Sequence, residues 1–206
     1  MHELFQDKTR ADGKRARTRS LLLDSAISIV AEKGFEQTKI TDVTQQAGLA
    51  NGTFYNHFQD KDELMLEVAA GIAVEITARI NEEIEGVSDA IARVVIATSR
   101  FMELAREEPD WVEVLLTSSD YIPDIQIGLV QFLRADIELG VEQGSFDVTI
   151  DSLLLNQVVG IVRVSLRVEL ESPGADAAAD TCIAVLRILG VGPARSRQAV
   201  NRILNR

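Results

Sequence analysis

The sequence predicts an all-α protein of about ten helices, with a three-helix helix-turn-helix domain first and a larger helical domain after it. Apolar residues recur at three- and four-residue spacing along most of the 206-residue chain. No stretch alternates between apolar and polar residues for long enough to indicate a sheet. Glycine and proline residues separate the periodic stretches, so each predicted helix has its own break.

The periodicity defines the helices in order. A first helix is expected from about Thr18 to Lys33, with Gly34 as its stop. Two short helices, 38–47 and 51–58, follow, and a long helix at 61–85 carries an unbroken apolar ladder. The remaining helices are expected at about 88–107, 109–119, 123–143, 149–171, 174–189 and 193–204.

Two short helices broken at Gly48 and followed directly by a third form the pattern of a helix-turn-helix. Thr38 is expected to accept a hydrogen bond from the N–H groups that open the first helix, and Gly48 supplies the left-handed turn that ends it. Phe54 and Phe58, four residues apart, give the second helix a buried face. Asp60 is expected to cap the third helix.

The other face of the second helix is polar and consists of Asn51, Thr53, Tyr55 and His57. These short or planar donors suit phosphates and base edges, on an element slim enough to enter a major groove. Lys61 lies in the first turn of the next helix, whose N-terminus also attracts anions, so one phosphate could be gripped twice.

A net charge of −11 is unusual for a protein that binds a polyanion, so the distribution of charge matters more than its sum. Residues 1–61 hold nine Lys and Arg against eight Asp and Glu, whereas residues 62–206 hold twelve against twenty-four. Residues 8–19 carry six cations against Asp12 alone. We expect residues 1–16 to form a flexible basic arm that reaches a phosphate or a minor groove; a merely solvated arm is the alternative.

At these residues the sequence resembles the Tet repressor family of transcriptional regulators. The run from Gly52 to Phe58, followed by Lys61, makes the resemblance specific. The other matching residues are Gly34, Phe35, Thr38, Asp42, Val43, Ala47, Gly48 and Leu49. Two positions depart from the usual pattern: Thr44 stands where Ala is common, and Ala50 where a Ser commonly caps the recognition helix. The second departure is expected to move the cap to Asn51, where capping competes with a base contact.

The resemblance implies a DNA-binding domain at 17–61 and an effector-binding and dimerisation domain at 62–206. It implies a ligand-responsive regulator, most simply a repressor that a small molecule releases from a palindromic operator by levering helix 61–85. The two recognition helices of a dimer would then enter major grooves about 34–36 Å apart. The alternative is a helical interaction protein whose helix-turn-helix no longer binds DNA.

The predicted DNA-binding residues divide by chemistry. Tyr55, Thr41 and Asn51 are assigned to bases, because their side chains reach and hydrogen-bond base edges. Thr38, Thr53, His57, Lys61 and Arg17 are assigned to phosphates, and Gly52 completes the set.

Two later helices differ from the rest. The helix at 149–171 is apolar nearly all round, and 177–189 is rich in small residues. A helix that is apolar on every side must be covered on every side, so we expect a homodimer with two helices from each subunit at its interface. Gly160 would allow close approach, and a core helix in a monomer is the alternative. In the Tet repressor family the penultimate long helices form such an interface, and these two helices match them by order.

An effector pocket is expected in the second domain, where aromatic and polar side chains come from different helices. Its candidate residues are Phe101, Met102, Trp111, Tyr121, Phe132 and Asn156. Each of these residue types is more often plain core than ligand contact. The resemblance favours a cavity, and the apolar composition favours a neutral or hydrophobic effector.

Other classes of function find little support. The chain has no Gly-rich phosphate loop, no nucleophile elbow and no zinc-protease motif, so we expect neither enzymatic activity nor a cofactor. The single cysteine, Cys182, and two distant histidines argue against a metal site and fit a reducing cytoplasm. We expect a cytoplasmic protein without a signal peptide or a membrane span.

Overall fold

The computed structural model describes residues 4–8, 13–118, 125–174 and 177–204 of the chain. Every regular element within these residues is an α-helix, so the predicted all-α class is confirmed. The helices are α1 (Leu4–Lys8), α2 (Lys14–Lys33), α3 (Ile40–Gln46), α4 (Asn51–Phe54), α5 (Lys61–Ile84), α6 (Ala90–Glu107), α7 (Pro109–Ser118), α8 (Ile125–Glu142), α9 (Ser152–Glu171), α10 (Ala177–Ile188) and α11 (Pro193–Leu204). None of these described helices is both long and apolar enough to cross a membrane.

The helix α1 differs from the expectation of a flexible arm. The backbone N–H groups of Phe5 and Gln6 donate to the two carboxylate oxygens of Asp24 on α2, each at 3.0 Å. Asp24 is buried, at 9% exposure, and each of its carboxylate oxygens has a hydrogen-bond partner, as buried polar groups usually do. Because the N–H groups that open a helix have no partner inside it, this carboxylate both caps α1 and fastens it to α2.

The described residues form two compact units. The first consists of the residues up to Glu75 together with Glu108–Ile125. In this unit α2 packs against α1, α3 and α7, and α3 packs against α4. Its buried core includes Leu22, Ala26, Val30, Val43, Phe54, Phe58 and Leu64.

The second unit consists of Ile76–Glu107 and Gln126–Arg206. In this unit α6 packs against α9, α10 and α11, and α10 packs against α9 and α11. Its core includes Val94, Val95, Ile137, Leu155, Val158, Cys182, Val185 and Leu186. The residues of α5 belong to both units, so the predicted domain boundary after Lys61 lies at the start of a shared helix.

Two arginines of α6 fasten neighbouring elements of the second unit. Arg93 donates to Ile84 O and Val87 O, each at 3.3 Å, and to Asp136 on α8 at 2.6 Å. Arg106 pairs at 2.5 Å with Glu169, a carboxylate that is 2% exposed. Burial alone would raise the pKa of Glu169, but the Arg106 guanidinium and the Gly174 N–H outweigh burial and lower it.

Candidate nucleic-acid interface

The turn between α3 and α4 is built around Gly48. Its φ of +67° lies in the left-handed region, which confirms the predicted role of this glycine. The Leu49 N–H donates to Thr44 O at 2.8 Å and satisfies a carbonyl that the end of α3 leaves free. The chain then enters α4 at Asn51.

The helix α4 is shorter than predicted, because it ends at Phe54 and the chain continues as a turn to Phe58. Phe54 and Phe58 are buried at 0% and 2% exposure, as their spacing predicts. Tyr55 is 62% exposed, and its ring meets the Phe54 ring edge-on, with 5.4 Å between centroids. The buried pair therefore holds α4 in place while Tyr55 points into solvent.

The remaining residues assigned to bases are also exposed. Thr41 on α3 and Asn51 at the start of α4 are exposed, as is Gly52 beside it. Thr53 is half-buried. The pairing of α3 with α4 brings these short helices together, so the predicted base-reading residues share one structural motif.

Thr38, in contrast to the residues assigned to bases, is buried. It is 2% exposed, and its hydroxyl donates to Gly34 O at 2.8 Å. The prediction that Thr38 caps the first helix of the motif is wrong, because α3 begins at Ile40 and Lys39 occupies the capping position. A buried hydroxyl that already has an acceptor offers a phosphate little surface.

The start of α3 is instead closed by Asp42. Its carboxylate accepts from the Lys39 N–H at 3.3 Å and pairs with Lys33 at 3.2 Å. The Lys39 N–H first, and then Lys33, lower the pKa of Asp42, so the carboxylate is ionised at neutral pH.

The predicted cap at Asn51 is also wrong. Ala50 occupies the capping position of α4 and provides no side-chain hydrogen bond, while Asn51 is the first helical residue. The side-chain oxygen of Asn51 accepts a hydrogen bond from the hydroxyl of Thr44 on α3. Thr44, one of the two positions that depart from the usual pattern, therefore contacts Asn51.

The predicted cap at the start of α5, Asp60, is confirmed. The Glu63 N–H donates to the Asp60 carboxylate at 2.8 Å, and the Glu63 carboxylate accepts from the Gln59 N–H at 2.6 Å. Lys61, the first residue of α5, donates to Phe35 O at 2.9 Å, and its ammonium lies 4.3 Å from the centroid of the Phe35 ring. This cation thus joins α5 to the end of α2 and keeps further N–H donors for a phosphate.

The basic residues at the start of α2 have different surroundings. Lys14, Arg15 and Arg17 are exposed, and Arg15 donates to Asn56 O at 3.4 Å. Arg19 turns inward, where it forms two hydrogen bonds to the Glu67 carboxylate. Among the other cations of the predicted arm, Arg10 and the side chain of Lys8 lie outside the described residues.

His57 is half-buried next to this basic group. Its Nδ1 is buried and has no hydrogen-bond partner in the described part of the chain. Burial first, and then the charges of Arg15 and Arg19, lower the pKa of His57 below its ordinary value of 6.5. The imidazole is therefore neutral at pH 7 and keeps one N–H to donate.

The residues predicted to line an effector pocket are distributed over both units. Trp111 belongs to the first unit and is 2% exposed, whereas Met102 in the second unit is equally buried and Phe101 is half-buried. Phe132 is 49% exposed, and the exposed Asn156 donates to Ser152 O at 2.8 Å. Tyr121 lies outside the described residues. The predicted pocket thus stays a prediction.

The second unit also carries an open groove of about 380 Å³ at the end of α5. It contains none of the six predicted pocket residues. The residues that line it are Asn81, Glu82, Ile84, Glu85, Gly86 and Arg93.

Two short helices joined by a left-handed glycine, with an exposed aromatic residue directly after the second, define a helix-turn-helix DNA-binding protein. Residues 22–68 match the family described as "Bacterial regulatory proteins, tetR family". These residues carry the DNA-binding domain of this family of transcriptional regulators, so the predicted resemblance is confirmed.

Two curated relatives cover about two thirds of the chain. The "Fatty acid metabolism regulator protein" of Bacillus subtilis (strain 168) is 22% identical over 146 residues, which are 67% of this chain and 75% of that protein. The "HTH-type transcriptional repressor KstR2" of Rhodococcus jostii (strain RHA1) is 26% identical over 148 residues, which are 68% of this chain and 72% of that protein.

Two solved structures share the fold over most of the chain. RolR in complex with resorcinol superimposes with a TM-score of 0.75 at 24% identity, over 92% of this chain and 95% of that one. FadR from Bacillus subtilis in complex with stearoyl-CoA gives a TM-score of 0.71 at 20% identity, over 84% of this chain and 97% of that one. At these identities the likeness concerns the fold alone.

Proposed function

We propose that this regulator represses transcription as a homodimer that binds a palindromic operator and dissociates from it when a small molecule binds to its second unit. The observation that carries the proposal is the exposed ring of Tyr55, at 62% exposure, beside two buried phenylalanines. An exposed aromatic residue directly after a helix that is suited to a major groove indicates a base contact.

The phosphate contacts come from N–H donors around this helix. Arg17 is exposed, and Lys61 and His57 are half-buried beside the turn that follows α4. Arg17 and Lys61 would neutralise phosphates without regard to sequence, and together with the neutral His57 they would fix the orientation of α4 on the duplex.

The dimer is supported by exposed apolar residues on α9. Leu153, Val164 and Val168 are 64%, 66% and 53% exposed, and they share a helix face with Gly160. A Cβ at Gly160 would meet nothing within 4 Å in this chain, which leaves room for a second helix. A two-fold dimer through this face would present two copies of α4 to a palindromic site.

The effector is proposed to be neutral or hydrophobic. RolR binds resorcinol and the Bacillus FadR binds stearoyl-CoA, so proteins of this fold accept ligands of different sizes. A ligand that binds one arrangement of the dimer better than another shifts the equilibrium by that difference in affinity.

Selection of DNA from a random pool by the full-length protein tests the proposal. We expect a two-fold symmetric sequence whose half-sites are about 10 base pairs apart, or a multiple of that distance. The Tyr55→Ala variant should lose this selection while its dimer and its thermal melting stay unchanged, because Tyr55 packs only at the surface.

Three results would contradict the proposal. Recovery of no preferred sequence would exclude operator recognition and favour the helical interaction protein. A preferred sequence without two-fold symmetry would exclude the palindromic operator. If Tyr55→Ala lowered the melting temperature by several degrees, Tyr55 would be structural and the observation that carries the proposal would be lost.

A further inference from the structure

A hydrogen bond between α3 and α4 holds the side chain of Asn51. Thr44 on α3 is 1% exposed, and its hydroxyl donates to the side-chain oxygen of Asn51, the first residue of α4. Asn51 itself is exposed. A buried residue of one helix therefore orients an exposed residue of the next.

The Thr44 hydroxyl has one proton and three acceptors within reach. The oxygens of Ile40 and Thr41 lie at 3.1 and 3.2 Å, and the side-chain oxygen of Asn51 lies at 2.5 Å. Asn51 turns its oxygen, not its amide nitrogen, toward this hydroxyl, so the Thr44 hydroxyl is the donor in this contact. The side-chain oxygen of Asn51 thus faces a buried residue, and its amide nitrogen Nδ2 keeps two N–H donors for solvent or DNA.

This orientation limits which base Asn51 can read. An asparagine that recognises adenine does so with both ends of its amide, because it donates to N7 and accepts from N6. With its oxygen turned toward Thr44, Asn51 cannot present that pair of atoms to one base. Guanine suits a lone donor better, since both N7 and O6 of its major-groove edge are acceptors.

We propose that Thr44 is a positioning residue that makes Asn51 a donor-only reader, selecting guanine over adenine at the base pair that Asn51 contacts. The inference rests on the proposed operator binding.

Binding to the selected operator and to all its single-base substitutions tests this inference. The base pair that Asn51 contacts is the one whose preference the Asn51→Ala variant flattens. At this position the unmodified protein should prefer guanine over adenine by about tenfold, the discrimination that one well-placed base contact provides.

The Thr44→Val variant removes the hydroxyl and keeps the shape of the side chain. It frees the oxygen of Asn51 and should move the preference at this position toward adenine, while the preferences at other positions stay unchanged. Thr44→Ser, which retains the hydroxyl, should keep the preference for guanine. In the double variant, Asn51→Ala should hide any effect of Thr44→Val, because Thr44 acts through Asn51.

Several outcomes would overturn the inference. One is a preference for adenine or cytosine in the unmodified protein, which would require that Asn51 present its oxygen. Another is a Thr44→Val variant whose base preference equals that of the unmodified protein. A third is an Asn51→Ala variant whose base preferences are unchanged at every position. If Thr44→Val does not fold, Thr44→Ala removes the same hydroxyl and gives the same readings. A protein that selects no DNA at all fails at the proposed function itself, whereas all other outcomes leave operator binding in place.

Discussion

Arg17 and Arg19 lie two residues apart on α2, and their surroundings give them different roles. Arg17 is exposed, whereas Arg19 is held by two hydrogen bonds to Glu67 and lies 4.5 Å from the centroid of the Phe58 ring. The Glu67 carboxylate raises the pKa of Arg19, so this cation stays charged inside the domain. Of the two, Arg17 is the one whose charge is available to a phosphate.

We predict that His57 makes operator binding depend on pH. Its pKa in the free protein is lowered, first by burial and then by Arg15 and Arg19, and a phosphate beside it would raise the pKa again. Operator binding would then take up a proton at each His57, so affinity should increase as pH falls below 6.5, by up to about tenfold per pH unit for each histidine. Titration of binding between pH 8 and about 5.5 measures this effect.

The stability of the free protein should follow the opposite trend. A histidine whose pKa is lowered by folding binds a proton more readily in the unfolded chain, so the folded state loses stability as pH falls below 6.5. The His57→Gln variant is the control and should lose the histidine part of both trends. If His57→Gln kept the full pH dependence of operator affinity, the phosphate contact of His57 would be disproved.

At the scale of elements, α4 is a helix of four residues that could not persist alone. The turn after it stays hydrogen-bonded, since the N–H groups of His57 and Phe58 donate to Phe54 O at 2.8 and 3.0 Å. Burial of Phe54 and Phe58 supplies the stability that its length does not. The recognition element is thus rigid through its packing.

The docking of α1 depends on Gly71 of α5. A Cβ at Gly71 would lie 2.3 Å from the ring of Phe5, closer than packed atoms approach. Gly71→Ala should therefore displace Phe5 and loosen α1, with a loss of about 1–3 kcal/mol in the free energy of unfolding, as is usual for overpacking. Hydrogen exchange at residues 4–8 and denaturant unfolding measure the two effects.

The Phe5→Ala background provides the control for Gly71. Without the ring, alanine at residue 71 should stabilise α5 by up to about 1 kcal/mol, because alanine favours a helix over glycine. The effect of Gly71→Ala on the free energy of unfolding would thus change sign when Phe5 is replaced by alanine. Equal effects of Gly71→Ala in both backgrounds would mean that Phe5 does not rest on Gly71.

At the scale of the whole molecule, the exposed face of α9 is predicted to form the dimer. Val164→Asp would place a carboxylate in the middle of this face, where a second subunit would have to bury it without a partner. We expect monomers in sedimentation experiments and a large loss of operator affinity, because one copy of α4 reads only one half-site.

A matched control exists on α5, where Val74 is 64% exposed, close to the 66% of Val164. Val74→Asp makes the same chemical change outside the α9 face and should leave the protein dimeric. If Val164→Asp stayed dimeric as well, the interface would lie elsewhere.

What the sequence determined by itself is the local structure of the DNA-binding motif. The burial of Phe54 and Phe58, the left-handed turn at Gly48 and the cap at Asp60 all follow from residues within four positions of each other. Spacing and backbone preference decide such features, because both act over a single turn of helix. The class of protein followed from these signals.

Only the tertiary structure decided which distant residues meet. Periodicity shows which face of a helix is buried, but it does not name the partner on another helix. The contact of Thr44 with Asn51, the placement of Lys61 at the end of α2 and the docking of α1 on Asp24 all join separate elements. These contacts decide which donors remain for DNA, because a group already bonded within the protein is not free to bind a base or a phosphate.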